Sequence, residues 1–164
     1  MGAGRHPAAP RNRNKGVAVR KVYFVITVLL LISVVVQFYF AALGVFGPED
    51  ADLFVFHSIN GQYVLPGLAL LAVIFAALSR AGVRTVLLSA LPILLVAVQI
   101  LLFILAGALT GGSEENPTVA GAIILGLHAI NALAILGVII TLVRRARLRA
   151  WPKSGADGPT PATA

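Results

Sequence analysis

The sequence predicts an all-α fold: an integral membrane four-helix bundle of up-down-up-down topology. Three observations carry this. The chain of 164 residues is 59% hydrophobic and only 12% charged, whereas soluble globular domains carry about a quarter of charged residues. Four apolar stretches are each long enough for a spanning helix, which needs roughly 20 residues to cross the hydrocarbon. The basic residues flank these stretches in an alternating pattern that gives one orientation at every connection.

The four spans are 22–46, 53–78, 86–109 and 119–143. The first begins at Val22 and runs apolar to Phe46, longer than the roughly 7–15 residues of a signal-peptide core, so it reads as an uncleaved span. Residues 1–16 are rich in Gly, Pro, Arg and Asn, and 152–164 in Pro, Gly, Ala and Thr. Neither buries enough apolar surface to offset ordering, so both are expected to be disordered tails around a membrane domain of 17–151. Tyr23 and Trp151 are expected at the membrane interface as amphipathic anchors. His6, in the basic tail, reads as a solvated residue.

Short connections make sequential helices antiparallel neighbours and leave spans two and four as diagonal partners. Gly47-Pro48, Gly111-Gly112 and Asn116-Pro117 punctuate the first and third connections. Pro66 and Pro92 fall inside spans two and three and predict kinks. Small residues four apart, Ala72/Ala76 and Ala122/Gly126, are candidate sites of close helix approach.

Arg5, Arg11, Arg13, Lys15, Arg20 and Lys21 precede span one, Arg80 and Arg84 lie between spans two and three, and Arg144, Arg145, Arg147, Arg149 and Lys153 follow span four. The other two connections hold Glu49, Asp50 and Asp52, then Glu114 and Glu115. The positive-inside rule places both termini in the cytoplasm, which with the composition predicts a multi-pass protein of the plasma membrane. The net charge of +7 belongs to these flanks, whose partners are the lipid bilayer and its anionic headgroups. No aromatic or Gly-rich RNA-binding module accompanies them, so nucleic acid is not an expected partner. Absence of cysteine excludes disulfides, thiolate catalysis and iron–sulfur ligation.

A polar pattern is written twice into this background: Gln37, then His57 and Asn60; Gln99, then His128 and Asn131. Its order predicts a two-helix internal repeat, although the Gln-to-His separations differ, 20 against 29. Polar side chains kept inside apolar spans face the bundle interior, and His and Asn at i and i+3 share one helix face. Two readings stay open. Gln37, Gln99, Asn60, His128 and Asn131 form a polar layer of interhelical hydrogen bonds in a structural or interaction protein without a cofactor, or inward His57 and His128 on diagonal helices are axial ligands of a haem.

The order of elements resembles one four-helix half of haem A synthase, and a family of small uncharacterised four-helix bacterial membrane proteins over about Val22–Arg147. The resemblance implies a bacterial membrane protein. From the synthase likeness, His57 and His128 match the haem-ligating histidines; haem b, which needs no thioether attachment and so no cysteine, is the candidate cofactor. All six acids lie in loops or the C-terminal tail, so no imidazole has a carboxylate orienter within the spans and the expected role is non-catalytic. Homo-oligomerisation stays open.

Counting about 1.5 Å per residue from the nearest basic residue puts Gln37, Gln99 and His128 at roughly 22–24 Å and His57 at roughly 35 Å. By this count His57 lies too high to share an iron with His128. A second possibility is that Asn60-Gly61 is a turn, with His57 in an interfacial segment before span two.

Overall fold

The computed structural model describes residues 11–112, 116 and 118–152. Glu114, Glu115, Pro117 and His6 lie outside the described residues, as do 1–10 and 153–164 of the expected tails at 1–16 and 152–164. The chain is a multi-pass membrane bundle: α1 (Arg11–Phe46), α2 (Phe54–Leu78), α3 (Val83–Thr110) and α4 (Val119–Ala150) are each long and apolar enough to cross a membrane. Helix α1 begins at Arg11, ahead of the expected boundary at 17. Lys and Arg are good helix formers, and the helix extends through Arg11, Arg13 and Lys15.

Consecutive helices are antiparallel neighbours, and α4 closes the ring against α1. No Cα pair comes within 8 Å across either diagonal, α1/α3 or α2/α4. The start of α1 and the end of α4 therefore lie at one end of the bundle, with the connection that carries Arg80. The core is densest there. Tyr23, Leu30, Ala72, Ala76, Pro92, Ile139 and Leu142 are fully buried, and the small side chains of Ala69, Ala72 and Ala76 on one stripe of α2 let its neighbours approach closely. Ala122 and Gly126 do not share that role: both are exposed, and a Cβ at Gly126 would meet nothing within 4 Å.

Tyr23 also departs from expectation. It is a core residue rather than an interfacial anchor, its hydroxyl 2.9 Å from Ser89 Oγ across the α1/α3 diagonal. A tyrosine ring buried among helices keeps its hydroxyl only where a polar partner waits, and Ser89 supplies one. Trp151 is half exposed, edge-on to Phe24 with ring centroids 5.1 Å apart and with Lys21 Nζ 5.9 Å above its ring.

Helix α2 ends in a Schellman motif: Ala81 N–H donates to Ala76 C=O, Arg80 N–H to Ala77 C=O, and Arg80 takes the left-handed conformation at φ 54°. Arg149 of α4 donates to the carbonyls of Arg80 and Ala81. This sets Arg80 level with Arg149, not with Arg144. Five helical residues, roughly 7.5 Å, separate those two origins on α4. His57 therefore lies lower, relative to His128, than a common level for Arg80 and Arg144 implies.

The Asn60-Gly61 step is not a turn between segments. Residues Asn60–Val64 form a π-helical turn inside one continuous helix, with Leu65 N–H donating to Asn60 C=O five residues back. Pro66 follows directly, and its missing N–H makes the regular hydrogen-bond ladder impossible at this point. His57 therefore lies within the spanning helix.

Candidate functional site: two imidazoles across one cavity

In the half of the bundle away from the termini, the polar residues form two clamps of the same design. In the first, Gln37 Nε2 donates to His57 C=O at 2.9 Å, while Asn60 Nδ2 donates to Gln37 Oε1 at 2.6 Å and to Ser33 C=O at 2.9 Å. In the second, Gln99 Nε2 donates to His128 C=O at 3.1 Å, while Asn131 Nδ2 donates to Gln99 Oε1 at 2.5 Å and to Leu95 C=O at 2.8 Å. Each Gln amide is bonded at both ends, and each Asn reaches the carbonyl one turn before that Gln. The unequal Gln-to-His separations are absorbed mainly in helix length, α4 running six residues further before His128 than α2 does before His57, and leave the clamp geometry unchanged.

One clamp ties α1 to α2 and the other ties α3 to α4, so the polar residues make two pairs of contacts rather than one continuous layer. Among the described residues no hydrogen bond joins the two clamps. They also differ in two details. Ser33 Oγ donates to Asn60 Oδ1 at 2.9 Å, a bond that Leu95 at the matching position cannot make. His57 Nδ1 lies 3.3 Å from Gln37 C=O, whereas His128 Nδ1 is buried with no hydrogen-bond partner.

Gly61 is part of the first clamp. A Cβ there would come within 2.7 Å of Gln37 Nε2, so a larger residue must push the clamped amide aside. Gly61→Ala is expected to displace Gln37 and cost about 1 kcal/mol, the scale of one or two interhelical contacts in a membrane. The same substitution made in a Gln37→Ala background should be nearly neutral, and unfolding of the four proteins in mixed micelles measures that coupling.

With their backbones clamped, the two imidazoles meet across the α2/α4 diagonal. The ring centroids of His57 and His128 are 6.2 Å apart, with 44° between their planes. Phe54 stands edge-on to His57 at 6.3 Å, and Phe103 edge-on to His128 at 5.0 Å. This juxtaposition corrects the height expectation. Measured from the true common level of Arg80 and Arg149, the histidines differ by two residues of helix, roughly 3 Å.

Both rings line a cavity of about 960 Å³ walled by all four helices. That is at the upper end of the roughly 300–1,000 Å³ of small-molecule and cofactor sites. Its wall is mostly aliphatic and aromatic; its polar members are Gln37, His57, Ser58, Gln62, Tyr63, Gln99 and His128, and it contains no Lys, Arg, Asp or Glu. The cavity has a mouth. No Cα of residues 54–64 lies within 8 Å of any Cα in α3 or α4, whereas Leu65–Leu78 packs against α3. From the π turn outward, α2 thus leans on α1 and parts from α3.

Ser33, Phe103 and the mouth residues Gln62 and Tyr63 were not singled out from the sequence. Ser33 carried a readable signal, one helical turn before Gln37. Gly61 carried one also, but its pairing with Asn60 suggested a turn.

A family model described as a family of unknown function, DUF6220, matches residues 37–108. That stretch runs from Gln37 through most of α3 and includes His57, Asn60 and Gln99, while His128 and Asn131 fall beyond it. No curated protein and no solved structure matches the chain. The chain is thus similar, over the stretch from Gln37 to Ala108, to a family of unknown function, and no match connects it to haem A synthase.

Proposed function

We infer that the cavity is a cofactor site in which His57 and His128 hold a haem b between them, in a non-catalytic multi-pass protein of a bacterial plasma membrane. The observation that carries this reading is the 6.2 Å separation of the two ring centroids across one cavity. An imidazole nitrogen binds a first-row transition metal at roughly 2.0–2.1 Å, so two rings on opposite sides of one ion have centroids roughly 6 Å apart.

The chain's own residues supply the preorganisation. Gln37 and Gln99 tether the backbone carbonyls of the two histidines. An Nδ1–H of His57 donating to Gln37 C=O keeps the Nε2 lone pair free. Phe54 and Phe103 limit ring rotation and keep the surroundings apolar. A haem held by two histidines supplies one-electron transfer, its potential set by burial and hydrogen bonding. The basic residues around the chain ends support a cytoplasmic location for that end, facing anionic headgroups.

A second reading is favoured by one feature: every Gln and Asn amide of the clamps is bonded within the protein. The pattern can therefore hold the bundle together in a structural or interaction protein without a cofactor. The absorption spectrum of protein purified in mild detergent from haem-replete cells separates the two. The haem reading predicts a Soret band that sharpens and shifts on reduction with dithionite, at a stoichiometry near one per chain. Protein free of visible absorption would leave the structural reading.

A further inference from the structure

The gap between the outer half of α2 and α3 is lined by residues that belong to the cavity wall and are also exposed: Ser58, Gln62 and Tyr63 on α2, Ala97, Ile100 and Phe103 on α3. These residues flank the stretch where α2 and α3 have parted, so the opening faces sideways from the helix axes, toward the bilayer. Its two lips differ in chemistry. The α3 lip is apolar. The α2 lip carries a hydroxyl, a carboxamide and a phenol, and none of the three makes a hydrogen bond within the described residues. Ser58 and Gln62 are four residues apart and share a face.

Unsatisfied polar groups in an apolar span are costly and are retained where a ligand or partner meets them. The rest of the cavity wall offers no cation to a carboxylate. A porphyrin with two propionates must therefore place its acidic edge against neutral donors, and apart from the His128 ring the unpaired ones are Ser58, Gln62 and Tyr63 at the mouth. The cause of the opening is local. The π turn at Asn60–Val64 and Pro66 break the regular course of α2, and the first clamp holds the segment beyond them to α1.

We propose that the cofactor enters and leaves through this lateral mouth from the lipid side, and that Ser58, Gln62 and Tyr63 receive its propionate edge there. The proposal rests on the haem reading, and the experiment separates the two. The chain has no cysteine, so a Ser58→Cys, Ile100→Cys pair can be bridged by a bis-maleimide and compared with the same protein unbridged. Haemin-loaded samples are mixed with excess apomyoglobin and the transfer of haem is followed by absorbance.

Bridging is expected to slow transfer by about tenfold or more, since it acts on the dissociation rate, and to slow loading of the apoprotein likewise. In a parallel arm, Gln62→Leu should weaken haemin binding by about tenfold, the loss of one hydrogen bond to a charged group, and leave binding of the haemin dimethyl ester unchanged. Equal transfer rates before and after bridging overturn the lateral route while the haem reading stands. Equal effects of Gln62→Leu on haemin and its ester, or no effect on either, overturn the propionate role. Wild-type protein that takes up no haemin overturns the haem reading itself.

Discussion

Replacing His128 by alanine is expected to abolish the spectrum of a six-coordinate haem and to lower haem affinity by about 100-fold or more, since loss of a mere outer partner of a metal ligand costs 10–100-fold. The ring stands 6.2 Å from that of His57 at the wall of the cavity, edge-on to Phe103. No third His or any Cys, Asp or Glu stands with them: among the described residues there is no cluster of three such ligands. His57→Ala is expected to give the same loss, and added imidazole should restore a six-coordinate spectrum in either variant, because alanine leaves a ring-sized vacancy in an otherwise clamped site. Absorbance titration with haemin measures both. A purely structural histidine pair would produce no visible spectrum to lose, and a band unaltered in both variants would place the ligands elsewhere.

The two clamps differ in strength, and the difference is measurable. Asn60 is buried and takes part in three side-chain hydrogen bonds, to Ser33 C=O, Gln37 Oε1 and Ser33 Oγ. Asn131 is less buried and makes two, to Leu95 C=O and Gln99 Oε1. Contacts of this kind average about 0.6 kcal/mol and reach about 1.7 kcal/mol in membranes. Asn60→Leu also strands Ser33 Oγ and Gln37 Oε1 in an apolar interior. The expected destabilisation is therefore about 2 kcal/mol for Asn60→Leu and about 1 kcal/mol for Asn131→Leu. Unfolding in mixed micelles with increasing dodecyl sulfate tests the order. Equal losses would mean that the Ser33 bonds contribute nothing.

The four spans and their antiparallel order were legible because hydrophobic length and basic flanks are properties of the sequence itself, needing no tertiary knowledge. The twice-written Gln, His, Asn pattern was legible for the same reason: a polar residue in an apolar helix stands out. What it does was not. Whether Gln37 bonds to Gln99 or to Asn60 depends on which faces meet, and the amide pairs within each hairpin were settled by packing. The level of His57 depended on Arg80 lying opposite Arg149 and not Arg144, a register set by the Schellman motif after Leu78. Tyr23 looked interfacial beside Lys21; only Ser89, 66 residues away, makes its burial affordable. The mouth of the cavity was beyond reach for a related reason, since a π turn leaves no mark in the sequence except Pro66.

The repeat gains physical content from the clamps. Two hairpins with the same donor–acceptor scheme, set side by side, place one imidazole each at the centre of the bundle. The most direct measurement of that claim is the low-temperature electron paramagnetic resonance spectrum of the oxidised, haem-loaded protein. Two histidines on opposite faces of one iron predict a low-spin ferric signal, with nitrogen couplings from two imidazoles that change when histidine is labelled with ¹⁵N. A high-spin signal, or couplings from a single imidazole, would contradict the account.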